Sequence, residues 1–144
     1  MQAPSLLPRA VEKQPIEMPV SEPVEAQTPV SPALQAAIAK QIEAAEAGDK
    51  AFAAQRAATE QTVAKAAGKG QGSEEWVQAQ EAVTALEGAR GAVRDAAGAI
   101  DALRDDPTNA TSGNRAAIDA AAKRVGAIVD SEAAAVQALA AKLG

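Results

Sequence analysis

Ala79-Gln-Glu-Ala-Val-Thr-Ala-Leu-Glu-Gly-Ala-Arg-Gly-Ala-Val-Arg-Asp-Ala-Ala-Gly-Ala-Ile-Asp-Ala-Leu103 is the stretch that decides the fold. Within it Ala79, Ala82, Leu86, Ala89, Val93, Ala96, Ile100 and Leu103 recur at alternating steps of three and four, with no polar interruption. That is the spacing of a helix packed along its whole length. Val83, Ala85, Ala92, Ala97 and Ala99 widen the stripe toward half the circumference. A stripe so wide calls for two packing partners rather than one. Gln80, Glu81, Glu87, Arg94, Asp95 and Asp101 occupy the opposite, solvated face. Ala82, Ala89 and Ala96 repeat every seventh residue. Such small side chains let neighbouring backbones come to the lower end of the usual interaxial range, about 8–10 Å.

Working outward, helix signals bracket this stretch on both sides. Ser73 is an N-cap, and Glu74 and Glu75 sit favourably in the first turn that follows. Pro107 disfavours helix at the residue before it, so the helix spans about 74–105. Upstream, Ser31-Pro32 is a cap followed by Pro at N1, and Gly68-Lys-Gly70-Gln-Gly72 breaks the pattern, which gives a helix over about 32–67. Downstream, Asn109-Ala-Thr-Ser-Gly113 reads as a polar loop, and Asn114 as the cap of a helix over about 114–143. In this last helix Ile118, Ala121, Ala122, Val125, Ile128, Val129, Val136, Leu139 and Leu143 repeat the pattern. The first helix carries Leu34, Ile38, Ile42, Ala45, Phe52 and Val63 on one face, interrupted by Asp49, Arg56 and Thr59. Short connections make consecutive helices antiparallel. The expected fold is therefore all-α, an up-down-up, coiled-coil-like, Ala-rich three-helix bundle over 32–144, with a Pro-rich tail over 1–31. With the first turn near residue 70, Phe52 falls level with Ala89, where Gly88, Ala89 and Ala92 leave room for its ring.

Gly88, Gly91 and Gly98 each cost about 1 kcal/mol relative to Ala inside a helix. They read either as neutral drift on an exposed face or as a close-approach site for another chain. Forty of the 144 residues are alanine and two are aromatic. A core of methyl groups buries little area per residue, so stability leans on helix propensity and length, and a partner, a dimer or a strap would add to it.

Composition removes many chemistries. Cys, His and Tyr are absent, which excludes thiolate metal sites, disulfides, cysteine nucleophiles and the commonest general base. No Ser or Thr has a base to pair with, so no catalytic residue is assigned. No cofactor-binding or metal-binding residue is assigned either, because a carboxylate-bridged metal site would need Glu-x-x-His on two helices. Gly68-Lys69-Gly70 fails as a phosphate loop, since Val63 stands where a Gly is required and Gly70 where Ser or Thr is. Asn109-Ala-Thr111 is a glycosylation sequon by spacing alone. A net charge of −5 argues against a nucleic-acid partner.

Two places stand out. Glu132 sits in the apolar column Ile118, Val125, Glu132, Leu139, where a lone carboxylate is costly unless paired. Antiparallel register puts Arg90 within reach, with Arg56 and Asp49 nearby, so the expectation is a mid-bundle ion pair or a side chain snorkelling at the rim. Trp76, followed by Val77, is the one large aromatic anchor. It reads as a plug at the bundle end against Val63 and Ala66 or Ala67, or with Val77 as the hot spot of a protein interface.

Seven of the eight prolines lie in the first 32 residues, which rules out a persisting helix there. That stretch reads as an extended linker, or as a strap laying Leu6, Leu7, Val11, Ile16 and Val20 onto a groove of the folded part. There is no apolar run long enough to span a membrane and no signal-peptide pattern; a chain whose signal segment had been removed would begin in this way. Residues 3–12, the Pro/Glu-rich spacer and the Ala-rich helical part together resemble the mature portion of uncharacterised bacterial envelope lipoproteins. In those a lipidated Cys precedes the tether, and this sequence has none. The resemblance implies a periplasmic or cell-envelope location and no activity. The expected function is a non-enzymatic binding or spacer module, with another protein or a second copy as partner. The alternatives are an amphipathic, phasin-like protein in peripheral contact with a lipid or granule surface, and a cytoplasmic coiled-coil adaptor.

Overall fold

The computed structural model describes residues 28–144, and every described element is helical. Helix α1 spans Pro32–Lys65. Ser31 caps it, its side chain accepting from Leu34 N at 3.2 Å, with Pro32 in the first turn as expected. It ends two residues before the expected 67. Ala66 and Ala67 donate to Val63 and Ala64 in tight three-residue turns, and Gly68 at φ +79° reverses the chain.

The expected 74–105 helix is two helices. Helix α2 spans Glu74–Gly88, capped by Ser73, which accepts from Trp76 N at 3.2 Å; helix α3 spans Gly91–Ala102. Between them Ala89 and Arg90 form a turn, with Arg90 N donating to Glu87 O at 3.2 Å. The break falls between Gly88 and Gly91, the residues least favourable to an unbroken helix. Two 3₁₀ turns, Leu103–Asp105 and Pro107–Asn109, then carry the chain to helix α4, Ser112–Ala141. The cap of α4 is Thr111, which accepts from Asn114 N at 3.3 Å. Asn114, expected as the cap, is a buried residue of the first turn, and its Oδ1 accepts from Ser31 N at 3.0 Å. Its role is therefore to tie α4 to the start of α1. Thr28 adds to this tie: its Oγ1 accepts from Gly113 N at 2.9 Å, and its carbonyl oxygen lies 1.7 Å from where a Cβ on Gly113 would stand. The residues proposed as a strap, Leu6 to Val20, lie outside the described residues.

All eight positions of the founding stripe are buried or half-buried. Of the residues that widened it, Ala85 and Ala92 are exposed. The buried side chains form two clusters. One joins Leu34 and Ala45 of α1 to Val93, Ala96 and Ile100 of α3 and to Ile118, Ala121 and Val125 of α4. The other joins Phe52, Val63 and Ala66 to Ala79, Val83 and Leu86 of α2 and to Ala135, Val136, Leu139 and Leu143. Ala89 packs against the cluster that contains Phe52. Gly48 marks where α1 and α3 come closest, since a Cβ there would stand 2.9 Å from Ala92 Cβ and 3.2 Å from Val93 Cγ2. Gly88, Gly91 and Gly98 have nothing within 4 Å of an added Cβ, so they do not serve a close approach among the described residues.

Candidate functional site

Between the fully buried members of the two apolar clusters lie residues 46–51 of α1, 87–92 across the α2–α3 joint and 126–134 of α4, where only the half-buried Ala89, Ile128 and Val129 pack against them. Polar groups collect at this level. Glu132 is the fully buried one, 1% exposed, because its column on α4 faces inward from Ile118 to Leu139. Asp49 approaches it from α1, half-buried, and Arg90 from the joint, 8% exposed. The arrangement is a polar waist between two methyl-rich halves.

The structure brings Glu132, Arg90 and Asp49 together as expected, but the ion pair between Glu132 and Arg90 is not formed. Arg90 Nη1 donates to Glu87 Oε1 at 3.2 Å, and Nη2 reaches Val129 O at 3.4 Å. Both carboxylate oxygens of Glu132, and Arg90 Nε, are buried without a hydrogen-bond partner in the protein. Glu87 wins the arginine because it pays little desolvation at the surface and also holds Arg94. Those two guanidiniums, Arg94 first, keep the Glu87 carboxyl below its usual range. Arg56 is not part of the waist: two turns further along α1, it pairs with Glu60 at 3.1 Å on the exposed surface.

Burial pushes the Glu132 carboxyl up to about 7, and the Asp49 carboxyl beside it acts in the same direction, although no hydrogen bond closes between the two in this conformation. Arg90 and Arg94 oppose the rise. A carboxyl in this state holds its proton near neutral pH and gives it up just above. Sequence reasoning placed Glu132, Arg90 and Asp49 and missed Glu87 and Arg94. Both lie on the polar face of the founding stripe, where nothing distinguishes them from other solvated charges.

Trp76 and Val77 part company. Trp76 is half-buried against the cluster of Val63, Ala66, Leu139 and Leu143, and its Nε1 donates to Leu143 O at 3.0 Å. Its ring thereby closes the end of α4. Val77 is 41% exposed, the one large hydrophobic residue so exposed among the described residues.

Concavities lie elsewhere, among them the following. An apolar groove of about 420 Å³ runs between α1 and α4, lined by Val30, Ile38, Ile42, Ala117, Ala121 and Arg124 among others. A smaller polar hollow of about 280 Å³ contains Arg104, which is engaged by Asp101 and Asp119 at 2.7 Å each. Among the described residues no group of acidic side chains is arranged to hold a metal ion, and no helix is long and apolar enough to cross a membrane. No family model, curated protein or solved structure matches the chain.

Proposed function

We propose that this chain is a non-catalytic, up-down-up three-helix bundle of the bacterial cell envelope that binds or spaces another protein, docking it on the groove between α1 and α4. The layout is supported by how the helix ends pair: the start of α1 shares a cluster with the end of α3 and the start of α4, while the end of α1 shares one with α2 and the end of α4. The observation that carries the binding reading is the groove. Its walls are aliphatic, its length covers about three helical turns from Val30 to Ile42, and Arg124 stands at its edge paired with Glu46. That shape suits an apolar helix or extended segment laid along it. The envelope location rests on the resemblance carried by residues 3–12 and the proline-rich spacer.

The surface-binding alternative asks for large apolar side chains on an open face. Among the described residues only Val77 meets that description, so the groove is the better-supported surface. The test is photocrosslinking from position 120, in the groove wall, against position 123, exposed on α4 outside it. A discrete adduct from 120 that Ala117→Glu abolishes, recovered in the envelope fraction, is the expected result. Equal adducts from both positions, or none from 120, would contradict the reading.

A further inference from the structure

The polar waist coincides with the one break in the second helical stretch. Gly88 and Gly91 flank the Ala89–Arg90 joint, and nothing lies within 4 Å of where a Cβ on either would stand, so the joint has room to move. Arg90, which forms the joint, sits between two carboxylates that compete for it. It now favours Glu87 on the surface, with Nη2 resting on Val129 O in the turn of α4 that precedes Glu132. Its buried Nε, like both oxygens of Glu132, has no hydrogen-bond partner in the protein. Turned toward Glu132, Arg90 would offer those oxygens the donors they lack. Glu87 would not be stranded by that turn, because Arg94 also holds it.

We propose that ionisation of Glu132, which lies beside Asp49 at the contact of α1 and α4, draws Arg90 from Glu87 to Glu132 and opens the α2–α3 joint. Glu132 is fully buried and Asp49 half-buried, so Glu132 is the carboxyl whose charged form is the costlier of the two. The charged groups facing Glu132 are Asp49 from α1, Arg90 from the joint and Arg94 from α3, with Glu87 of α2 behind the two arginines. When the proton leaves to solvent, the waist holds two carboxylates, and only Arg90 is buried beside them to compensate the inner one. An isolated buried carboxylate is far costlier than a rearranged arginine. Burial, aided by Asp49, already holds the Glu132 carboxyl near neutrality, so the step falls within the range a cell compartment can sample.

The experiment is a pH titration of the full chain by NMR from 5.5 to 8.5, following the Glu132 side-chain carboxyl carbon and the amides of Ala89, Arg90 and Gly91. The expected result is one shared midpoint near 7, with the three amides flat in Glu132→Gln. A joint whose amides do not titrate in the native chain, or titrate unchanged in Glu132→Gln, would overturn the proposal. Should the glutamine variant not fold, Asp49→Asn serves instead. Without the neighbouring negative charge the Glu132 midpoint is expected to fall and the joint amides to follow it; an unmoved midpoint, or amides that part from it, would also overturn the proposal.

Discussion

Replacing Gly48 with alanine distinguishes this packing from a generic helical assembly. In an unconstrained helix interior Gly→Ala stabilises by about 1 kcal/mol, because alanine loses less backbone freedom on folding. At Gly48 the new methyl would stand 2.9 Å from Ala92 Cβ and 3.2 Å from Val93 Cγ2. Ala92 Cβ is fixed to its backbone, so α1 and α3 would have to separate along their contact. Overpacking of this kind costs about 1–3 kcal/mol, enough to cancel or outweigh the propensity gain. Gly98→Ala is the internal control, since nothing lies within 4 Å of its added methyl. Urea denaturation followed by helical circular dichroism should show Gly98→Ala more stable than the native chain by about 1 kcal/mol and Gly48→Ala less stable by about the same amount. Removing the obstructing methyl by Ala92→Gly should relieve the clash, so that the double variant is more stable than the sum of the two single changes allows. If Gly48→Ala stabilised as much as Gly98→Ala, the close approach of α1 and α3 would be refuted.

Other outcomes follow from single contacts. Glu132 holds its proton in the folded state up to about 7 and releases it near 4.5 when unfolded. Its contribution is therefore fully present below about 4.5 and is lost as pH rises to about 7, amounting to about 3 kcal/mol. Glu132→Gln should abolish that slope in denaturation midpoints measured from pH 4.5 to 7.5, and a slope that survives would exclude Glu132 as its source. Trp76→Phe removes the donor to Leu143 O while keeping a ring in place, and should lower unfolding free energy by about 1 kcal/mol with fraying of residues 141–144 seen by amide exchange. Gly113→Ala would drive a methyl into the Thr28 carbonyl, so the Ser31 and Gly113 amides should lose exchange protection. Retained protection would show that Thr28 does not lie where described.

Much of this architecture was legible because its signals are local. The Ser31-Pro32 and Ser73 caps and the Gly68 turn each act within a turn or two of helix and operate as read, and the 3–4 spacing from Ala79 to Leu103 marks the buried face although the helix it describes breaks at Ala89–Arg90. What escaped depends on contacts distant in sequence. Asn114 has the chemistry of a cap, yet Thr111 takes that role because Asn114 is claimed by Ser31, 83 residues away. Gly48 lies on the Ala45–Phe52 face, but whether a glycine there is idle or required is set by Ala92. The waist was half legible: a glutamate in an apolar column announces itself, whereas the partner Arg90 prefers follows from competition between a surface carboxylate and a buried one.

The central proposal is an up-down-up layout in which α1 and α4 lie side by side and run parallel, and the absence of cysteine allows clean pairs of spin labels. Labels replacing the exposed Lys40 and Lys123 should lie close together, and so should labels replacing Lys65 and Lys142. The Lys40–Lys142 pair should be about 30 Å apart, since the intervening stretch of α4 rises about 28 Å at 1.5 Å per residue. Pulsed electron resonance giving two short distances and one long one is the predicted result. A short Lys40–Lys142 distance, or three that are alike, would contradict it.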